Sequence, residues 1–318
     1  AATIDAVLIN LSSYGYIPTE WVSVLFLVLF GITTALHFGQ ALFFRLWFLL
    51  PTAVLCGALE VAGWSGRLWS SINHVNCSNP AASTLAIANN SPYLLQIVTT
   101  IIAPTPLLGA NFIILGRIIH LLGSRYSRLS SRLYSRIFLT CDIIALIVQG
   151  LGGGIAASAN NGDQKQANLG GNIMLGGIIF QLVAIILYSS LATEFFLRYV
   201  KDRPLRHDSV AYQKRTKTTG RTKLLLLGMV LMTIFLFIRS IYRTVELAGG
   251  WNGSIITTQW LFDIFDGLMI ILAMLTLNLL HPGILLLPEE ARASPSSSSS
   301  EVGLHSSSER SVGPVKTY

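Results

Sequence analysis

The chain has 318 residues, of which 52% are hydrophobic and only 12% are charged, and its formal net charge is +7. A soluble globular domain carries about 25% charged residues, so this composition, with a mean hydropathy of +0.59, excludes one. Apolar segments of about 20 residues recur, each long enough to cross a hydrocarbon core of about 30 Å. We therefore expect an all-α, polytopic membrane protein. No metal-type cluster of His and Cys is visible in the sequence, so no cofactor or metal is expected.

The apolar segments predict a bundle of seven transmembrane helices. In chain order these cover about residues 20–42, 45–69, 92–122, 136–158, 172–198, 224–247 and 258–281. They divide the chain into an exterior segment over 1–18, a transmembrane domain over 19–287 and a tail over 288–318. The tail is rich in serine, so it cannot bury a core and is expected to be disordered in the cytoplasm.

The lysines and arginines set the predicted orientation, because cytoplasmic loops carry an excess of them. The connection between spans three and four is basic, as is the one over 201–223. In the alternate connections 70–91, 159–171 and 248–257, the only lysine or arginine is Lys165. We therefore expect the N-terminus outside and the C-terminus in the cytoplasm. The net charge of +7 then lies at the inner surface, where it favours contact with anionic lipid rather than nucleic acid.

Potential N-glycosylation sites agree with this orientation. The Asn-x-Ser/Thr pattern, which marks the exterior side of a secretory-pathway protein, has its asparagine at Asn10, Asn76, Asn89 and Asn252. All of these positions fall in segments that the basic residues already assign to the exterior. The two signals are independent, and together they predict one topology.

Span two carries two charged residues into its outer half. Glu60 and Arg67 are seven residues apart, nearly two helical turns, and therefore share a face. Trp64 and Trp69 are expected in an aromatic belt at the outer membrane surface.

Span three contains Pro104 and Pro106 at mid-membrane, with Asn111 further along. Two prolines remove backbone donors, so the helix should bend or break there. A break at this depth is tolerated inside protein or beside a water-filled cavity, and a simple packing kink is the alternative interpretation.

Spans four and five carry fewer polar residues. Asp142 and Gln149 share a face of span four, and the glycine-rich stretch 150–154 that follows indicates close helix–helix approach or local unwinding. Span five contains Gln181 in its apolar run. Glu194 lies near its inner end, where pairing with cytoplasmic bases is expected.

Spans six and seven bring the largest number of charges into the apolar region. Arg239, Arg243 and Glu246 follow i, i+4, i+7 spacing and line one face of span six. Two arginines one turn apart repel each other, so that face requires acids from elsewhere. Asp263 and Asp266 lie in the outer half of span seven and can supply them.

These charges lie at similar depths. With a rise of 1.5 Å per residue, Glu60 and Arg239 are each roughly 13 Å below their outer ends, and the acids of span seven are about 8–12 Å deep. Unpaired, the buried charges of spans two, six and seven would cost on the order of 15–20 kcal/mol. They must therefore pair across these spans or line a wet cavity. Two interpretations remain: an ion network that only fixes helix register, or a polar vestibule, open to the outer leaflet, that holds a zwitterionic or amine-bearing head group.

Several of these residues form motifs that resemble a known family. In chain order the motifs are Glu60-x-x-Gly63-Trp64-x-x-Arg67, Ala103-Pro104, Asp142 with Gln149, Arg239-Ser240-x-Tyr242-Arg243-x-x-Glu246, Asp266 and His281-Pro282-Gly283. Over roughly residues 14–283 the chain is similar to the fungal lipid-translocating exporter family named for aminocholesterol resistance, which includes a sphingoid long-chain-base exporter. The resemblance implies seven helices, residence in the plasma membrane or an endomembrane, and a role in lipid export. Gln259 and Asp263 depart from the family pattern, which points to a rearranged charge network.

The residues and the resemblance together favour a transporter or translocator of lipids or amphiphiles, without catalytic residues. Its substrates would be sphingoid bases, phospholipids or sterol-like toxic amphiphiles, and it would contribute to lipid homeostasis and to drug and stress resistance. The residues predicted to bind the substrate are Glu60, Arg67, Arg239, Arg243, Glu246, Asp263 and Asp266. A secondary polar set within the membrane comprises Asp142, Gln149, Gln181 and Asn111.

A receptor or lipid sensor is the alternative prediction. Seven helices with an exterior N-terminus fit a signalling protein equally well, and the basic loop 201–223 and the C-terminal tail could engage cytoplasmic partners. An enzyme is not expected, because no nucleophile–base pair is visible. The sequence contains no Walker motif, so translocation would depend on a gradient, a partner ATPase or passive exchange.

Overall fold

The computed structural model of the chain describes Tyr14, Tyr16 and residues 18–75, 91–159, 164–205, 219–250 and 253–288. Throughout these residues the regular structure is helical, and seven segments are long and apolar enough to cross a membrane, which confirms the predicted all-α class. The predicted glycosylation sites Asn10, Asn76, Asn89 and Asn252 lie outside the described residues, as do the tail beyond residue 288 and residues 206–218 of the basic loop.

The spans are irregular in places. They comprise Glu20–Phe43, Trp47–Ile72, Pro92–Leu122, Ser131–Ala157, Gln164–Val200, Gly220–Ala248 and Gln259–Leu285, named span one to span seven below. Span two opens with the 3-10 turn Trp47–Leu49 and the π-helix Leu50–Val54 before its α-helix Leu55–Val75. Spans four, five and six begin earlier than predicted, because their polar first turns are helical although hydropathy does not detect them.

Each span packs on its neighbours in the sequence, and span seven packs back on span one, which closes the bundle into a ring. Span three is the most buried, with 72% of its apolar window inside the protein. Aromatic rings fill the contact between spans three, four and five: the Phe112 ring lies 5.3 Å from Phe138 and 4.6 Å from Tyr188, centroid to centroid. The central position of span three gives its polar atoms access to several other spans.

The predicted bend or break in span three is seen as an interruption of its helix at Ala103, whose own backbone angles remain helical. The helix Ser91–Ile102 ends at Ala103, and a second helix, Pro104–Leu122, begins directly after it. Proline has no N–H, so Pro104 cannot donate to the carbonyl four residues earlier, which belongs to Thr100. This carbonyl is therefore available to another donor.

Glycines bring spans four and five close together, as the sequence predicted. A Cβ atom on Gly170 would lie 2.4 Å from the backbone nitrogen of Ala156, and one on Gly152 would lie 2.6 Å from that of Met174. Backbone cannot yield at such distances, so these two positions require glycine. Gly176 differs, because a Cβ atom there would meet nothing within 4 Å.

Span seven changes helix type where its acids lie. An α-helical turn Gln259–Phe262 passes into the π-helix Asp263–Leu268, and α-helix resumes over Met269–Leu279. The short helix Pro282–Leu285 follows, capped by the His281 side chain, whose Nδ1 accepts a hydrogen bond from the Gly283 N–H at 3.1 Å. π-Helical turns are rare and occur frequently at functional sites.

Candidate functional site

Charged residues from three spans lie together at one end of the bundle, near the end of span two and the start of span seven. We call them the ion cluster: Glu60, Arg67, Arg239, Arg243, Glu246, Asp263 and Asp266. Apart from Asp263, whose side chain is 15% exposed, each residue is at most 3% exposed. The structure thus places all seven predicted residues in the interior of the bundle.

Arg243 is the centre of the ion cluster. Its Nε donates to Asp266 Oδ1 at 2.8 Å and its Nη2 to Asp266 Oδ2 at 2.7 Å, which is the bidentate geometry of a strong arginine–carboxylate pair. Nη2 also donates to Thr100 Oγ1 at 2.9 Å, and Nη1 donates to Glu246 Oε2 at 2.8 Å. One guanidinium therefore joins spans three, six and seven.

Arg239 makes use of the break in span three. Its Nε lies 2.8 Å from Asp266 Oδ1, and its Nη2 donates to the backbone carbonyl of Thr100 at 2.5 Å. This is the carbonyl that Pro104 leaves without its helical donor. The proline therefore has a direct consequence at the site, because it frees a backbone acceptor for a buried arginine.

Glu246 differs from the prediction of pairing between spans. Its carboxylate accepts from Arg243, three residues earlier on the same helix, and from the Tyr242 hydroxyl at 2.9 Å. Side chains three residues apart on a helix are neighbours, so this pair forms within span six. Among the described residues, the hydrogen bonds that connect that face to other spans go to Asp266 and Thr100.

Arg67 forms an outer layer of the ion cluster. It donates to the Tyr16 hydroxyl at 2.9 Å and to Gln96 Oε1 at 3.4 Å, and it lies 3.5 Å from Asp263 Oδ1. The Phe262 ring separates this outer layer from the inner layer, which consists of Arg243 and its partners, and its centroid is 4.8 Å from Arg67 Cζ and 5.0 Å from Arg243 Cζ. Both arginines therefore have cation–π contact with one ring.

Trp64 does not lie in an aromatic belt, contrary to prediction. It is fully buried, and its ring stacks on Phe26 with a centroid separation of 4.3 Å. The reason is that residues 60, 64 and 67 share the inward face of span two. Trp69, by contrast, is 48% exposed, which suits a lipid-facing position.

Glu60 is unlike the other acids. It is fully buried and lies within electrostatic reach of Asp266, Arg239 and Arg243, yet neither carboxylate oxygen accepts a hydrogen bond from the described residues. Trp64 Nε1 lies close to this carboxylate, but not at the distance and angle of a hydrogen bond. Direct pairing of Glu60 with an arginine of the ion cluster is therefore not seen among the described residues, although Arg239 and Arg243 lie close enough to attract its charge.

The ion cluster is closed in this structure. A vestibule open to the outer leaflet was expected, but the burial of these side chains leaves only Asp263 partly accessible. The contacts of Arg67 with Tyr16 and Phe262 cover the inner layer. A head group could reach Glu60 only after this cover moves.

The secondary polar residues bond to other partners. Asn111 Nδ2 donates to Thr233 Oγ1 at 2.7 Å, and Gln149 Nε2 donates to Gln181 Oε1 at 3.0 Å. Gln181 in turn donates to Thr105 Oγ1 at 3.2 Å. These bonds tie span three to spans five and six. Asp142 is 2% exposed, and its carboxylate has no hydrogen-bond partner in the described part of the chain.

Sequence reasoning missed the uncharged residues that complete the site. They are Tyr16, Gln96, Thr100, Tyr242 and Phe262, which bond to or cover the charged groups. One of them had a readable signal: Thr100 is four residues before Pro104, so the proline predicts a free carbonyl there. Tyr242 belongs to the span-six motif of the family resemblance, but no role was predicted for it. Tyr16, Gln96 and Phe262 are ordinary aromatic and amide residues whose roles depend on the packing of the spans.

Comparison with known proteins identifies relatives of this chain. Residues 53–289 match the model of a family described as RTA1 like protein. The chain is 30% identical to the sphingoid long-chain base transporter RSB1 of Saccharomyces cerevisiae strain Lalvin EC1118, over 85% of this chain and 73% of that protein. It is 26% identical to protoporphyrin uptake protein 1 of Saccharomyces cerevisiae, over 69% of this chain and 64% of that protein. No solved structure matches the chain significantly. The family match covers most of the spans and the whole ion cluster, so the chain belongs to the RTA1-like family.

Proposed function

We propose that this protein is a lipid transporter, and that its substrates are single-chain amphiphiles with a protonated amine, of which sphingoid long-chain bases are the type. A transport role is supported broadly by the relatives, two of which are named as a transporter and an uptake protein. The preference for an amine is supported by the charge and bonding of Glu60. Phospholipids and sterol-like amphiphiles are the broader substrate range, and the plasma membrane is the proposed location.

One observation carries the amine preference. The ion cluster contains three arginines and four acids, and Glu60 is the acid that has neither an ion pair nor a hydrogen bond among the described residues. A buried carboxylate needs a compensating charge or a proton, because desolvation of an isolated ion is very costly. A substrate ammonium group can supply both the missing positive charge and up to three hydrogen-bond donors.

The proposed path follows from the closed state of the site. The ammonium group approaches from the Tyr16 end, the Arg67 layer moves aside, and the amine binds Glu60 while the hydrocarbon tail stays in lipid between spans. The Arg67 layer is the looser of the two, because its Asp263 partner is 3.5 Å away and partly exposed, whereas the inner pairs are at 2.7–2.8 Å and buried. The inner arginines would hold the spans in register while the outer layer opens.

Reconstitution tests this proposal. Purified protein in liposomes, without ATP, should exchange a tail-labelled sphingoid base between leaflets faster than empty liposomes do. Glu60→Gln should lower that exchange at least tenfold, and an N-acylated analogue, which has no charge, should exchange slowly through the unmodified protein. Glu20→Gln is the matched control, since Glu20 is an exposed acid at the start of span one.

The outcomes separate the candidate functions. Exchange no faster than in empty liposomes would reject transport of this substrate class. Saturable binding without exchange would favour the receptor or sensor interpretation. Full exchange by Glu60→Gln would retain transport but remove Glu60 as the amine site.

A further inference from the structure

A second candidate lipid site lies outside the ion cluster, between spans five and six. An apolar cleft of about 370 Å³ runs between these spans, within the range of small-molecule pockets. Its walls are formed mainly by apolar side chains, among them Ile186, Phe196, Met229, Val230 and Phe237. Val230 and Ile186 are about half exposed on the outer surface of the bundle, so the cleft opens sideways toward the lipid.

A polar chamber of about 600 Å³, widely open to its surroundings, adjoins this cleft toward the end of span five, where Lys201 and Arg203 are exposed. Ser189, Ser190 and Thr193 line both spaces, so the two are continuous. An apolar cleft that opens into a polar chamber matches the shape of an amphiphile, because the cleft can hold its hydrocarbon chain and the chamber can hold its head group. This juxtaposition is separate from every residue of the ion cluster.

The charged side chains around the polar chamber favour an anionic head group over an ammonium group. Arg198, Lys201 and Arg203 line it, against the single acid Glu194. Both Glu194 oxygens are already occupied: Oε2 accepts from Arg128 Nε at 2.6 Å and Oε1 from Arg198 Nε at 2.8 Å. An incoming ammonium group would therefore meet arginines in place of a free carboxylate.

The end of span five fixes the two remaining cations at this chamber. The helix ends at Val200, and Asp202 adopts φ 49°, a left-handed conformation that turns the chain back. The turn is closed by a bond from the Arg203 N–H to the Arg198 carbonyl at 3.0 Å. Lys201 and Arg203 form no ion pair with any described residue, so their charges are available to an anion.

We infer that this cleft binds a membrane lipid with a phosphate head group, its acyl chain between spans five and six and its phosphate at Lys201 and Arg203. The positive-inside prediction places this end of the bundle at the cytoplasmic leaflet, where anionic lipids are concentrated. The site is thus distinct from the amine site in both position and sign of charge. Its existence does not depend on the proposed transport function.

Native mass spectrometry of the purified protein tests the inference with lysophosphatidic acid as the probe. Lys201→Gln combined with Arg203→Gln should weaken binding at least tenfold, because each basic residue near a lipid head group contributes roughly a fivefold factor in affinity. Arg221→Gln combined with Lys223→Gln is the matched control, since these exposed bases begin span six outside the chamber and should leave binding unchanged.

A second pair of variants tests the acyl-chain part. Val230→Trp should fill the cleft and weaken binding about tenfold, whereas Leu227→Trp, on the same helix and equally exposed but outside the cleft, should not. Inorganic phosphate at millimolar concentration should fail to displace the lipid, since it lacks a chain.

Three results would overturn the inference. The first is an equal loss of lysophosphatidic acid binding in the two double charge variants, and the second is equal binding by the two tryptophan variants. The third is tighter binding of sphingosine than of lysophosphatidic acid at this site. Glu60→Gln should bind lysophosphatidic acid normally. Loss of transport in that variant with retained binding would therefore distinguish the two sites.

Discussion

Removal of Arg243 is the most direct test of how the ion cluster stabilises the fold. Arg243→Gln abolishes two bonds to Asp266, one to Glu246 and one to the Thr100 hydroxyl. It leaves three buried acids near Arg239 alone. Breaking a buried ion pair by removing one partner costs about 3–5 kcal/mol, because the remaining charge is uncompensated. We expect a loss of that size in the free energy of unfolding.

The measurement is unfolding of the purified protein in mixed micelles of increasing sodium dodecyl sulfate content, followed by tryptophan fluorescence. Arg221→Gln, at an exposed base on the same helix, should change the free energy of unfolding by less than about 0.5 kcal/mol. The double variant Arg243→Gln with Asp266→Asn removes one charge of each sign. Its loss in the free energy of unfolding should be smaller than the sum of the two single losses by about 0.5–3 kcal/mol.

The reasoning fails if Arg243→Gln unfolds within about 1 kcal/mol of the unmodified protein. It also fails if the two single effects simply add, since residues in direct contact must couple. Either result would mean that water hydrates these groups in the membrane or that the acids are protonated.

Two further predictions concern packing and the outer layer of the site. Gly170→Ala should lower the free energy of unfolding by about 1–3 kcal/mol, because its Cβ atom would overlap the backbone of span four. Gly176→Ala should be neutral or stabilising by about 0.5–1 kcal/mol. A comparable loss in both variants would contradict the close approach of spans four and five. Tyr16→Phe removes the hydroxyl acceptor of Arg67 and should cost about 1.5–3 kcal/mol by the same measurement. If removal of this hydroxyl does not affect stability, then Arg67 is not held by Tyr16 in the membrane.

The fold class and the identity of the ion cluster followed from the sequence alone. Seven apolar runs define seven spans because a run of about 20 apolar residues has the length of a helix that crosses the hydrocarbon core, and a helix satisfies its backbone groups within the segment. The charges at Arg239, Arg243 and Asp266 were recognisable because ions are costly at membrane depth. The break at Ala103 followed from Pro104, which cannot donate a backbone hydrogen bond.

The pairing within the ion cluster was decided only by the tertiary structure. Sequence spacing shows which residues share a helix face, but it does not show which of several acids each arginine meets. Asp266 became the shared partner because span seven packs beside span six, and Glu60 was left without a hydrogen-bond partner among the described residues by the same packing. Burial of Trp64 depended likewise on how span two is rotated against span one. The physical reason is common to these cases. The cost of burying a charge and its depth in the membrane are properties of one residue in one helix, whereas a partner at 2.8 Å depends on the relative position of two helices.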